Sequence, residues 1–143
     1  MKTILTSLLC LTLGLSQAQL VINELMSLNQ GTYVDEFGQR GDWVEIWNSG
    51  SYAIDLGGKW FTDDLTFPMK HQIPNDEPDL TMVQPGEFKI IWFDKQPGQG
   101  PLHVDLGLNT VDGEVVGLFH ADGASLIDSI SFPALDADIS WGR

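Results

Sequence analysis

The groups best suited to chemistry in this chain are its carboxylates. Twenty Asp and Glu stand against seven Lys and Arg, and two stretches concentrate them. Asp63-Asp64 follows an aromatic run, and Asn75-Asp76-Glu77-Pro78-Asp79 lies among prolines. Asp63, Asp64, Asp76, Glu77 and Asp79 offer hard oxygen ligands of the kind calcium takes, in loops that suit its flexible geometry. No Asp-x-Asp-x-Asp-Gly frame orders them, so plain solvated loops fit the same residues. His71, His103 and His120 are far apart. His103-Val104-Asp105 could offer two metal ligands from one strand face; a histidine on the polar side of a half-buried strand is the simpler reading. There is no Gly-x-Ser-x-Gly elbow, no phosphate-cradling glycine loop and no His-Glu-x-x-His. No carboxylate pair is singled out for glycoside chemistry. The motifs therefore point to no catalytic constellation, and no cofactor is expected beyond calcium.

The second lead is aromatic. Asp42-Trp43-Val44-Glu45-Ile46-Trp47-Asn48 alternates in side-chain direction if extended. With Val44 and Ile46 on the core face, Trp43, Glu45 and Trp47 lie outside. Two tryptophans flanking a carboxylate could receive a sugar or a partner protein. The competing reading folds the long 27–41 stretch, with Tyr33 and Phe37, over them. A third lead is Asp128. With Asp122-Gly123 as a two-residue turn, Asp128 faces the same way as Leu126 and Ile130. A carboxylate there needs partners, such as backbone amides or an indole N–H, or else it blunts a sheet edge with an inward charge.

The elements that must position these groups are strands. Gly41-Asp42 and Asn48-Ser49-Gly50 bracket the seven-residue run as one strand, and its bulk on both faces places it inside a sheet. Gln19–Met26, Tyr52–Leu56 with its continuation Lys59–Thr62, and Phe88–Phe93 read as further strands. So do Leu102–Leu108, Val115–His120 and Ser125–Phe132. Residues 63–81 hold little regular structure beyond a short strand at Met69–Ile73, and their prolines argue against a helix. Residues 138–142 close the set. No helical periodicity runs for ten residues, so about eight or nine short strands predict an antiparallel β-sandwich of immunoglobulin type, or a barrel.

The chain has 143 residues, the size of one domain. Lys2, the apolar run Ile4–Leu15 and Ser16-Gln17-Ala18 predict a signal peptide over residues 1–18, leaving 19–143 as the exported domain. The run is too short for a stable membrane anchor, and no transmembrane segment remains after cleavage. A lipoprotein signal using Cys10 is disfavoured, because Ser7-Leu8-Leu9 lacks small residues before it. Cys10 is the only cysteine, so the exported domain holds together without disulfides. The net charge of −13 repels phosphate backbones, and direct nucleic-acid binding is not expected.

Leu20-Val21-Ile22-Asn23-Glu24-Leu25-Met26, Asp35-Glu36-Phe37-Gly38 and Asp42–Asn48 come in order. They are followed by Ile54-Asp55-Leu56-Gly57-Gly58, Thr62-Asp63-Asp64, Pro85-Gly86-Glu87-Phe88 and Ile127–Phe132. As an ordered set, they resemble the lamin tail domain in its secreted bacterial form, over nearly all of residues 20–143. The resemblance implies an immunoglobulin-like β-sandwich that is an attachment without catalysis, often joined to hydrolases. It brings no catalytic residues. The expectation is a secreted, non-enzymatic interaction or adhesion module meeting protein or glycan at the cell surface. It would stand alone or serve as the accessory of a longer exported protein. A carbohydrate- or calcium-binding module is the alternative.

Overall fold

The computed structural model describes residues 20–143; the expected signal segment 1–18 lies outside the described residues. Two antiparallel four-stranded sheets pack face to face. The first contains β1 (Leu20–Met26) and β2 (Asp42–Asn48). A short ladder joins β3 (Ile54–Asp55) to a later strand, and β4 (Trp60–Thr62) and β5 (His71–Gln72) begin the second sheet. After α1 (Pro78–Thr81), β6 (Met82–Val83) completes the β3 ladder. β7 (Phe88–Phe93) returns to the first sheet. β8 (Glu114–Phe119) and β9 (Leu126–Phe132) extend the second, and β10 (Trp141–Gly142) closes the first. The orders are β10-β1-β2-β7 and β5-β4-β8-β9.

β2 lies inside its sheet, between β1 and β7. Its alternation sends Val44 and Ile46 into the core, where both are fully buried. Ile22, Ile91 and Phe93 join them from the same sheet; Phe61, Val116, Leu118, Ile130 and Phe132 face them from the other. The rings of Phe61 and Phe93 meet edge to face at 5.5 Å across the middle. Each large side chain buried here contributes about 1.5–3 kcal/mol. With no disulfide available among the described residues, this layer is the main source of cohesion.

Three local expectations are corrected. A short helix does form: Pro78 occupies its first turn, where a missing N–H and a fixed φ cost nothing. Residues 102–108 form no strand. A single parallel bridge ties His103 to Trp92, and the segment then leaves the sheet, with Asp105 N–H donating to His71 Nδ1 and Leu108 N–H to Asp42. Its alternation reports real burial, of Val104, Leu106 and Leu108: Val104 N–H donates to Trp92 O and Val104 O accepts from Lys95 N–H, and beyond it side-chain acceptors replace the ladder. The β8–β9 connection is longer than a two-residue turn. His120 N–H donates to Ser125 O, and Asp122 accepts from Ala124 and Ser125 N–H. A register shift follows beside Phe119, which leaves Leu126 half-exposed while Ile130 is buried.

Asp128 finds partners on the opposite sheet. Its Oδ2 accepts the Ile22 N–H at 2.8 Å, and Arg143 holds it with both guanidinium nitrogens, at 2.6 and 2.9 Å. A bulge in β1 at Asn23 breaks the ladder beside that N–H. Of the expected partners the backbone amide is present, and Trp141 Nε1 donates to Ser131 O.

Candidate functional site

The outer face of the first sheet carries the aromatic run. Cross-strand pairing places Met26, Trp43 and Trp92 in one row, and Val21, Trp47 and Phe88 in another. The first row is covered. Trp43 is 2 % exposed and packs with Met26, Trp92 and Ile90, while the Tyr33 ring stands edge-on to it at 5.3 Å. The long loop does fold over this end. It is held by Asn29, whose amide donates to Tyr33 O and Gly41 O and whose Oδ1 accepts from Thr32. Asp138 accepts from Gln30 and Gly31 N–H at 2.7 Å each. Trp43 is therefore structural.

The second row stays open. Trp47 and Phe88 stack with ring centroids 5.8 Å apart and planes 10° from parallel, and Phe88 is half-exposed. Glu45, between the tryptophans, accepts from Asn23 Nδ2 at 2.8 Å. The three residues singled out in the sequence share a face, as alternation requires, but only Trp47 and Glu45 lie where a partner can reach them.

The acidic loops are spread out. Asp63 pairs with Lys70. Asp64 accepts from the Thr66 hydroxyl and N–H, and these bonds hold its carboxyl below the usual range. Asp76, Glu77 and Asp79 are exposed in and before α1. The metal-competent group that the fold assembles among the described residues is a different one: Asp35, Asp94 and His103, with donor atoms within 4.8 Å of one another.

His103 is 1 % exposed. Its ring lies over Trp92 at 6.4 Å, and Phe37 meets it edge-on at 6.0 Å. Nδ1 contacts Asp94 Oδ2 at 2.7 Å, and Nε2 faces Glu36 Oε1 at 3.3 Å. Asp35 anchors the loop turn, its Oδ1 accepting from Phe37 and Gln39 N–H. The sequence did flag His103, but its expected companion Asp105 is exposed and contributes only a backbone N–H to His71. Glu36 and Asp94 are its carboxylates, from loops 67 and 9 residues away, and no local spacing reveals them.

Beside Asp94 a polar cleft of about 520 Å³ opens between Arg40, Asp42, Lys95, Leu108 and Glu114. Burial raises the Asp42 carboxyl to about 6, against the pull of the Leu108 N–H and Lys95. Burial also raises Glu114. Sequence reading missed this cleft, because its acids come from three separate strand ends.

Two antiparallel sheets around one apolar layer, with irregular loops gathered at the ends, define an immunoglobulin-like sandwich. The lamin tail domain family matches residues 15–134, and the chain belongs to that family. Neither a curated protein nor a solved structure matches it.

Proposed function

We propose that this chain is an exported, non-catalytic interaction module that docks a protein at the cell surface through the open end of its first sheet. The Trp47–Phe88 stack carries the reading. Two large rings, flanked by Val21 and by the carboxylates of Glu24 and Glu45, stand on β2 and the edge strand β7, Phe88 half-exposed and Trp47 partly buried beside it. Aromatic anchors inside a polar rim are the arrangement that supplies most binding energy in protein interfaces. A sugar platform would need broad open ring faces, and here each ring spends one face on the other. The family's immunoglobulin-like architecture supports a role in attachment.

The test is binding of the labelled protein to intact cells and to protease-treated cells of the producing organism, for wild type and for Trp47→Ser with Phe88→Ser. Saturable binding that is abolished by protease and weakened at least about tenfold by the double substitution is expected. Binding that survives protease would move the partner to a glycan. Binding unaffected by the substitutions would remove this face from the account.

A further inference from the structure

We propose that the free edge of β7 receives an extended segment of the partner protein as an added strand, with a basic residue beside Ile90 and an apolar or aromatic residue beside Phe88. This rests on the reading of the Trp47–Phe88 face as a protein-docking surface, and it names the form and charge of what docks there.

The first argument is which edges the fold leaves unguarded. The sheets end on β10 and β7 in one case and on β5 and β9 in the other. A strand edge pairs readily with another chain unless it is short, charged or covered. β10 and β5 have two residues each. β9 has seven, but Trp141 Nε1 and Arg143 donate to the carbonyls of Ser131 and Ser129 along it. β7 has six residues and no proline, and Lys89, its one charged residue, turns its Nζ to the carbonyls of Leu80 and Met82.

The second is the phase of β7. Trp92 N–H donates to Leu102 O and Trp92 O accepts from Val104 N–H, both at 2.8 Å, so Trp92 turns its backbone away from β2. Before the strand, Glu87 O accepts from Asn48 N–H, so Glu87 turns its carbonyl toward β2. Backbone direction alternates along a strand, and both ends give the same phase: Phe88 and Ile90 share the outward side with Trp92. Segment 102–104 bonds Trp92 alone of the three. Among the described residues, no backbone hydrogen bond outside the β2 ladder involves Phe88 or Ile90. Two N–H groups and two carbonyls in ladder spacing are what an added strand takes up.

The third is charge. Across the outer face, Glu24, Glu45 and Ile90 form one row, and Val21, Trp47 and Phe88 another. A residue added beside Ile90 stands two strand spacings, about 10 Å, from Glu45. A Lys or Arg stem laid over Ile90 brings its cation to that carboxylate. A residue added beside Phe88 meets a half-exposed ring. The net charge of −13 attracts a basic segment and repels a second copy of this chain.

The experiment sets the purified full chain against a phage-displayed library of random linear peptides. Recovered peptides should carry Lys or Arg and an apolar or aromatic residue two positions apart. A synthetic copy of one should slow amide hydrogen exchange at Phe88 and Ile90 at least about tenfold. Replacing the Ile90 amide by an ester keeps the side chain and removes the N–H. It should weaken the peptide at least about fivefold. It should lower the melting temperature less than the same change at Ile91, whose N–H belongs to the β2 ladder. Glu45→Gln should weaken the peptide about two- to fivefold and flatten its salt dependence. No peptide of this pattern, unchanged exchange at both amides, or an Ile90 ester that binds like wild type would each overturn the proposal. So would a dimer in solution that the ester dissociates, since the edge would then belong to a second copy. Cell binding lost in Trp47→Ser with Phe88→Ser but kept by the ester would overturn strand addition and leave the docking face standing. Peptide capture sensitive to the ester, without any cell binding, would support the edge and overturn the cell-surface reading alone.

Discussion

Asp42 shows how one residue is tuned by its place. It closes the N-terminal end of β2, faces the polar cleft and accepts the Leu108 N–H at 3.0 Å. Burial raises its carboxyl from an ordinary 3.8 to about 6. The folded chain therefore holds this proton more tightly than the unfolded chain. Below about pH 4 both states are protonated and the residue costs nothing. Stability falls as pH rises from about 4 to 6, and the loss is complete above that. Asp42→Asn keeps an acceptor for Leu108 and removes the charge. Allowing for the solvent that reaches the group, it should be about 1–2 kcal/mol more stable than wild type at pH 7 and equal to it at pH 4, read from urea unfolding across that range. Nothing around Asp42 in the sequence announces this. Gly41-Asp42 reads as a strand start, and the burial comes from residues 94–108 and from Glu114, which the fold brings to it.

At the scale of the element, the strands are legible and their ends are not. β2 shows its two-residue period directly, because alternation is a local property, and β7 is read from its β-branched and aromatic residues, apolar on both faces. The 102–108 segment shows the same period, yet only one bridge forms. Period records which side chains are buried and not which backbone lies alongside. The open end of the β8–β9 pair depends on a glycine just before β8 that propensity alone does not rank. Gly113 holds φ +72, and a Cβ there would stand 2.2 Å from Phe132 O and 2.6 Å from Pro133 C. Gly86 has a similar φ of +76 in the turn before β7 but nothing within 4 Å. Gly86→Ala should cost about 1 kcal/mol, the conformational penalty alone. Gly113→Ala should cost about 3 kcal/mol or more, because backbone must move as well. Urea midpoints of the two variants separate strain from collision.

At the scale of the whole molecule, the two sheets are joined by more than their apolar layer. Asp128 on β9 accepts a backbone N–H from β1, and Arg143, next to β10, grips the same carboxylate and donates to Ser129 O. β10 itself pairs with β1, Gly142 opposite Glu24. The tail thus belongs to one sheet by its backbone and to the other by its side chains. Asp128→Ala leaves the Ile22 N–H without its acceptor and should cost about 2–3 kcal/mol. Arg143→Ala removes a half-exposed partner and should cost about 1 kcal/mol or less. Equal losses in the two variants, measured by denaturation, would show that the ion pair and not the inter-sheet bond carries the effect.

By itself, the sequence determined that this chain is built from short strands with one apolar and one aromatic face. The ordered motifs also pointed to the lamin tail domain family. Both follow from local pattern: a two-residue period and punctuation by Gly, Pro and Asp need no knowledge of neighbours. Only the tertiary structure decided that Trp43 is covered while Trp47 is open, since that depends on where a fifteen-residue loop lands. It alone gave His103 its carboxylates. Glu36 is 67 residues away, and a contact between distant loops is set by the packing of the sheets beneath them, which no spacing in the chain encodes.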